Sequence, residues 1–309
     1  MRRGYTLPLY LLPFDHRHSY VTGMFHFTPP LTPDQHEAVA ESKEVIYDGF
    51  RQALGRPLPV AYAGIMVDEE FGADIVRDAV RSGFVTALST EQSGSNEFDF
   101  EHGAAFAKHI EAFEPTFAKA LVRYNPEGDA SLNQRQATRL KRLSDYCQMV
   151  EQRFMVELLV PAADAQRSRT RADETTYDLR MRPGLTVAAM AALQDAGVEP
   201  DVWKIEGLDR REDCERVVAT ARRDGRDEVG CIVLGRGTDS STVVRWLETA
   251  ASVEGFIGFA VGRTTFWDPI AAFVANKRTR REAVARIAHR FREWAGIFER
   301  AHAVHESAV

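Results

Sequence analysis

The sequence has few cysteines and no pairing pattern among them. Cys147, Cys214 and Cys231 are odd in number and far apart, which excludes a disulfide framework or a zinc knuckle and leaves three small buried hydrophobes in a reducing compartment. No apolar run approaches the roughly 20 residues of a membrane-spanning helix, so no membrane association is expected. An excess of basic charge is also missing: the net charge is −6, which argues against a nucleic-acid surface. The stretch MRRGYTLPLYLLPFDHRHSY places arginines ahead of apolar residues like a secretion signal. Pro8, Pro13 and Asp15 interrupt it, no small-residue cleavage site follows, and it reads as the first strand of a cytoplasmic protein. Fixed-period repeats, low-complexity tracts and interdomain linkers are absent too, which predicts a single domain over residues 1–309.

What is present is ordinary in bulk, with 44% hydrophobic and 27% charged residues, and informative in order. Short apolar strands alternate with amphipathic helices. Strands are expected at 9–17, up to Asp68, and at 85–91, 117–126, 153–161, 202–207, 229–237 and 256–266. Helices are expected at 34–53, ended by Gly55, Arg56 and Pro57, and then at 71–81, 134–150, from Pro183 to before Gly197, at 210–223, and from an Asp239 or Ser240 cap to Ala251. The polar, aperiodic stretch 162–178 reads as a long mobile loop, and 269–302 as a tail of two helices. Strands apolar on both faces, each followed by a helix, imply a parallel sheet covered on its outside. Eight such units closing on themselves make a (β/α)8 TIM barrel with a long C-terminal helical tail. An open doubly wound sheet would carry GxGxxG after its first strand, where this chain has Asp15, His16 and Arg17.

Such a barrel places its site at the C-terminal strand ends. In VWKIEG, alternation sets Val202, Lys204 and Glu206 on one face, away from Trp203 and Ile205. A buried ammonium is costly unless it is paired or neutral, and a neutral amine is a nucleophile. Lys119, Glu157 and Lys204 on three consecutive strands form a plausible constellation for Schiff-base chemistry, with Glu157 carrying protons or, alternatively, only anchoring a lysine. Asp15 and Arg17, Glu91, and Arg123 stand at the ends of strands one, three and four. Gly235 and Arg236, with Gly262 and Arg263, end strands seven and eight, where barrels often bind phosphate. Asp15, His16 and His18 could instead hold a metal for a metal-dependent aldolase or hydrolase; two neighbouring lysines disfavour that reading.

The stretches FDHR at Phe14, EQSGSNEFDFEHG at Glu91, AKALVRYNP at Ala118, VELL at Val156, DVWKIEG at Asp201 and GFAVGRTTFW at Gly258 run through nearly the whole chain in order. On them the chain resembles the 2-deoxy-5-keto-gluconate 6-phosphate aldolase family of myo-inositol breakdown, whose barrel is often fused to 5-dehydro-2-deoxygluconokinase, and more distantly the tagatose 1,6-bisphosphate aldolases. The resemblance implies a class I aldolase with no metal or other cofactor and with the Schiff base on Lys204. Lys119, Glu157 and Asp15 would support catalysis, and Arg263 would meet a phosphate. The implied partner is a small phosphorylated keto sugar or keto acid, cleaved to dihydroxyacetone phosphate and an aldehyde. A sugar-phosphate-binding barrel without turnover is the alternative from another class. A homo-oligomer is a further expectation, because barrels of this size are often dimers or larger.

Overall fold

The computed structural model describes residues 3–55 and 58–306; Arg56 and Pro57, expected to help end the first long helix, and Arg2 lie outside the described residues. Eight strands, β1 Leu9–Pro13, β2 Ala63–Val67, β3 Val85–Ser89, β4 Phe117–Arg123, β5 Arg153–Leu159, β6 Val202–Glu206, β7 Gly230–Leu234 and β8 Phe256–Ala260, pair in parallel in sequence order. β8 pairs with β1, which closes the sheet into a (β/α)8 barrel. Around it run α1 His18–Met24, α2 Pro33–Ala53, α3 Glu69–Arg81, α4 Phe106–Phe113, α5 Ala130–Met149, α6 Asp164–Arg169, α7 Glu174–Arg180, α8 Arg182–Asp195, α9 Arg211–Ala221, α10 Ser240–Ala251, α11 Arg263–Val274 and α12 Arg280–Glu306.

Helix starts follow the side chains that can accept orphan backbone N–H groups. Thr32 and Gln35 form a reciprocal capping box ahead of α2, with Pro33 in its first turn. Asp68, Asp129 and Asp239 each accept backbone N–H bonds at the starts of α3, α5 and α10. Because Asp68 and Asp129 cap, α3 and α5 begin earlier than hydrophobic periodicity alone indicates.

Three expectations need correction. The eighth strand stops at Ala260, not Phe266, and Arg263 opens α11. There the Thr265 N–H donates to Gly262 O at 2.7 Å and its hydroxyl to Val261 O at 2.6 Å, so local hydrogen bonds override the strand preference of Thr264, Thr265 and Phe266. Pro269 consequently lies inside a helix and does not start the tail. The stretch 162–178 is not structureless: α6 and α7 occupy it, Asp173 accepting from Thr175 N and Tyr177 donating its hydroxyl to Val160 O at 2.7 Å. Finally, the first strand stops at Pro13, not Arg17, and His18 begins α1.

Apolar residues fill the lower barrel interior, among them Leu9, Leu11, Met66, Val85, Phe117, Met155 and Val202. Tyr5 plugs the N-terminal end, its ring edge-on to Phe117 at 5.2 Å and under the Arg153 guanidinium at 4.9 Å. A larger apolar layer, including Trp203 and Ile205, lies between sheet and helices. The tail packs on its own barrel: Arg280 pairs with Asp48 at 2.9 Å, Arg292 Nε donates to Ala53 O at 2.8 Å, and Trp294 Nε1 donates to Thr265 Oγ1 at 3.0 Å. Among the described residues no helix is long and apolar enough to cross a membrane.

Candidate active site

The inward faces of β4, β5 and β6 bring the proposed lysines and acid together. Register sets Glu157 opposite Lys204, and Lys119 one pleat lower, opposite Met155. The Lys119 ammonium is 2.7 Å from Asp15 Oδ2, 2.7 Å from Glu91 Oε1 and 2.8 Å from Glu157 Oε2. The other Glu157 oxygen, Oε1, is 2.9 Å from Lys204 Nζ. Lys204 has a thioether as its other close contact, Met66 Sδ at 3.3 Å. Both lysines are buried, at 1% and 3% exposure, so solvent does little to screen these pairs.

The two lysines differ in surroundings. Burial favours the neutral form of Lys119, but Asp15, Glu157 and Glu91 outweigh it and hold its pKa well above the ordinary lysine value. The same balance seen from the acids is reversed: burial pushes Asp15 up, while Lys119, Lys204 and His16 hold it well below its usual value. Glu157 is likewise lowered against the effect of burial, chiefly by Lys119 and Lys204. Asp15 receives one more donor, the Ser89 hydroxyl at 2.7 Å. Glu91 also accepts from Leu121 N at 3.2 Å, which pins its carboxylate to β4.

Two cavities meet over this cluster. The larger, about 690 Å³, is lined by Lys204, Glu157, Arg123 and Arg263; the smaller, about 270 Å³, is lined by Lys119, Asp15, Glu91 and Arg17. Glu157, Arg123 and His16 face both. Burial, helped by Arg263 and Lys204, lowers the His16 pKa to about 4 against Asp15 and Glu157, so the ring is neutral at pH 7, and its Nδ1 is buried with no partner.

The arginines separate by partner. Arg17 bonds the Glu91 carbonyl oxygen at 2.5 Å and pairs with Glu101 at 2.8 Å, so it braces the segment after β3. Arg236, expected beside the anion, is engaged by Asp178 at 2.7 Å and Glu206 at 3.2 Å. Among the described residues Arg123 and Arg263 have no carboxylate partner: Arg123 donates to Ser95 O at 3.1 Å and Arg263 to Arg236 O at 2.6 Å. Burial lowers the Arg263 pKa, the mark of a cation short of counter-charge. Its guanidinium lies against Gly237, where a Cβ would stand 2.8 Å from the guanidinium carbon. Gly262 leads into α11 so close to β1 that a Cβ would stand 2.2 Å from the Pro13 carbonyl oxygen. Gly235 is the milder case, with a Cβ 3.2 Å from Val261.

All the strand-end residues expected from the sequence therefore lie at one end of the barrel. The sequence reading missed Ser89, Met66 and the Arg182–Asp178–Arg236 chain, in which Asp178 accepts from Arg182 Nε at 2.8 Å. Ser89 was detectable as a polar residue at a strand end; Asp178 was hidden in the supposed loop. The alternative metal set does not assemble: Asp15 is held by Lys119 and Ser89, and His18 has left the strand end. A His/Glu group within ligand distance instead forms at Glu69, His102 and His109, residues too far apart in sequence to suggest it.

A closed eightfold barrel of this kind is the fold of class I aldolases. The chain aligns with 96% of its length on 98% of fructose-bisphosphate aldolase from Plasmodium falciparum in complex with TRAP and a small-molecule inhibitor, at a TM-score of 0.64 and 12% identity. An archaeal fructose-1,6-bisphosphate aldolase with its catalytic lysine covalently bound to the carbinolamine intermediate matches at a TM-score of 0.56 and 12% identity, over 94% of each chain. Cgl0159 from Corynebacterium glutamicum matches at 0.55 and 17% identity, over 94% of this chain and 88% of that one. At these identities the likeness is one of fold. The chain belongs to the family described as "Uncharacterized protein conserved in bacteria (DUF2090)", which matches residues 1–302. No curated protein sequence matches it.

Proposed function

We propose that this protein is a class I aldolase that forms a Schiff base between Lys204 and a phosphorylated keto sugar or keto acid. The substrate is 2-deoxy-5-keto-gluconate 6-phosphate or a close relative, and the products are dihydroxyacetone phosphate and an aldehyde. One observation carries the reading: Glu157 has one oxygen on each lysine, and only Lys204 of the two lines the large cavity that also holds Arg263.

The chemistry follows from that asymmetry. Lys119, surrounded by three carboxylates, stays an ammonium and acts as a fixed positive charge. Lys204 gives its proton to a neighbouring base and attacks the substrate carbonyl carbon, making a carbinolamine. Glu157, at 2.9 Å, can take that proton and return it to the departing hydroxyl as water leaves. The iminium then accepts the electron pair of the breaking carbon–carbon bond. A carboxylate, Asp15 or Glu157, takes the proton of the hydroxyl that becomes the aldehyde. Protonation of the enamine and hydrolysis of the new iminium release the ketone and restore Lys204. Arg263, lacking a carboxylate, receives the phosphate. The mechanism requires no cofactor.

Borohydride reduction during incubation with a panel of phosphorylated ketoses and keto acids tests this. Irreversible inactivation and a mass adduct on the Lys204 peptide are expected, and Lys204→Met abolishes both. An adduct on Lys119 would exchange the two roles, turnover without an adduct would reject the Schiff base, and binding without turnover of any member would leave a sugar-phosphate-binding barrel.

A further inference from the structure

We propose that Glu69, His102 and His109 bind one divalent transition-metal ion of the zinc class, as a clamp on the segment that carries Glu91. The three side chains come from separate places: Glu69 opens α3, His102 lies just ahead of α4 and His109 is within it. Their ligand atoms lie within 4.8 Å of one another. His109 Nδ1 is 2.8 Å from Glu69 Oε2, and His102 Nε2 is 3.0 Å from the same oxygen. The imidazoles stack with centroids 3.4 Å apart and planes 4° from parallel.

Two imidazoles and one carboxylate are the ligand chemistry of zinc, cobalt and nickel, whereas calcium and magnesium prefer all-oxygen sets. Zinc–nitrogen and zinc–oxygen bonds of about 2.0–2.2 Å in tetrahedral geometry set ligand atoms roughly 3.3 Å apart. The two nitrogen–oxygen separations need to widen by about a few tenths of an ångström, and the imidazoles must tilt out of their parallel stack, because one ion cannot lie in two parallel ring planes. About one-third exposure of both imidazoles, each at 33%, leaves room for water in a remaining coordination position.

Position argues for a clamp. None of the three residues lines the cavities that hold Lys204 and Lys119. Residues 91–101 fold back on themselves, with Gln92 N on Asp99 O at 2.8 Å and Glu101 N on Thr90 O at 3.0 Å. One end of this fold puts Glu91 on Lys119; the other is held by Arg17 on Glu101 and runs directly into His102. A metal there fastens that end to α3 and α4.

The test uses the full chain, stripped by chelator and titrated with Co2+ and Zn2+ at neutral pH. One equivalent of Co2+ should bind with the visible absorption of a nitrogen-ligated ion, Zn2+ should displace it, and Tm should rise with metal. His109→Ala, His102→Ala and Glu69→Gln should each weaken binding by more than the roughly 10- to 100-fold that loss of a mere outer partner of a ligand costs. Their metal-free Tm values, compared with that of the stripped parent, report whether they fold. Absence of stoichiometric binding by the parent would overturn the proposal, as would binding unaltered in variants that fold; the aldolase reading survives either result.

Discussion

The barrel interior has two halves built on the same inward-facing positions, and they behave as different materials. Below, Leu9, Val85, Phe117, Met155 and Val202 make a dry apolar plug. Above, Lys119, Glu157, Lys204, Asp15 and Glu91 make a buried network of charges on the walls of the two cavities. The boundary is sharp: Lys119 is paired in register with Met155, and Glu157, one pleat up, with Lys204. A five- or seven-residue strand therefore holds its stability at one end and its chemistry at the other. Removing a methylene group below leaves a void; removing a charge above leaves its partners buried and uncompensated.

The comparison is tested most strongly at Lys119. Lys119→Met replaces an ammonium with a side chain that suits the lower half, yet it strands three carboxylates. The expected loss is about 3–5 kcal/mol in urea denaturation. The borohydride adduct should form more slowly and still be found on Lys204. A loss below about 1 kcal/mol would mean that the upper half is as tolerant as an ordinary surface.

A smaller effect is expected at the rim. Arg263→Ala removes a charge-assisted contact worth about 1.5–3 kcal/mol, roughly a ten- to a hundredfold loss of affinity for phosphorylated ligand, with the fold intact. If phosphorylated and unphosphorylated ligands keep the parent's affinity ratio, the anion is bound elsewhere, and Arg123 is the next residue to change.

An effect confined to acid solution concerns His16, where burial lowers the folded-state pKa to about 4 against an unfolded value near 6.5. Between those values the unfolded chain binds the extra proton, so this residue's contribution to stability is present above about pH 6.5 and is lost as pH falls towards 4. His16→Gln should flatten the stability profile in that window. An unchanged slope would place a charged imidazole in the site and blur the division between the halves.

Much of this was legible in the sequence because the barrel repeats one simple pattern. Alternation around Lys204, in the middle of its strand with Trp203 and Ile205 on the opposite face, marked its face as the one away from the helices, and Glu157 and Lys119 were grouped with it from neighbouring strands. Legibility failed where local hydrogen bonds compete with propensity. Thr264, Thr265 and Phe266 have strand-forming side chains, but Gly262 and the Thr265 hydroxyl turn them into a helix. The division of labour between Arg236 and Arg263 was invisible for another reason: it depends on Asp178, which arrives from a helix that polar composition disguised as a loop.

The close passage of Gly262 past the Pro13 carbonyl oxygen also bears on when the strand-end cluster becomes enclosed. It is a seam between the first and last strands of the barrel: Asp15 follows the one and Arg263 the other. A chain still under synthesis can assemble its middle strands, with Lys119, Glu157 and Lys204, long before anything closes the ring. Until the last strand slides in beside the first, with no side chain at residue 262 to obstruct it, the cavity over Lys204 lacks the wall that Gly262 and Arg263 supply. The rim around the cluster is complete only when the first and last strands of the barrel meet.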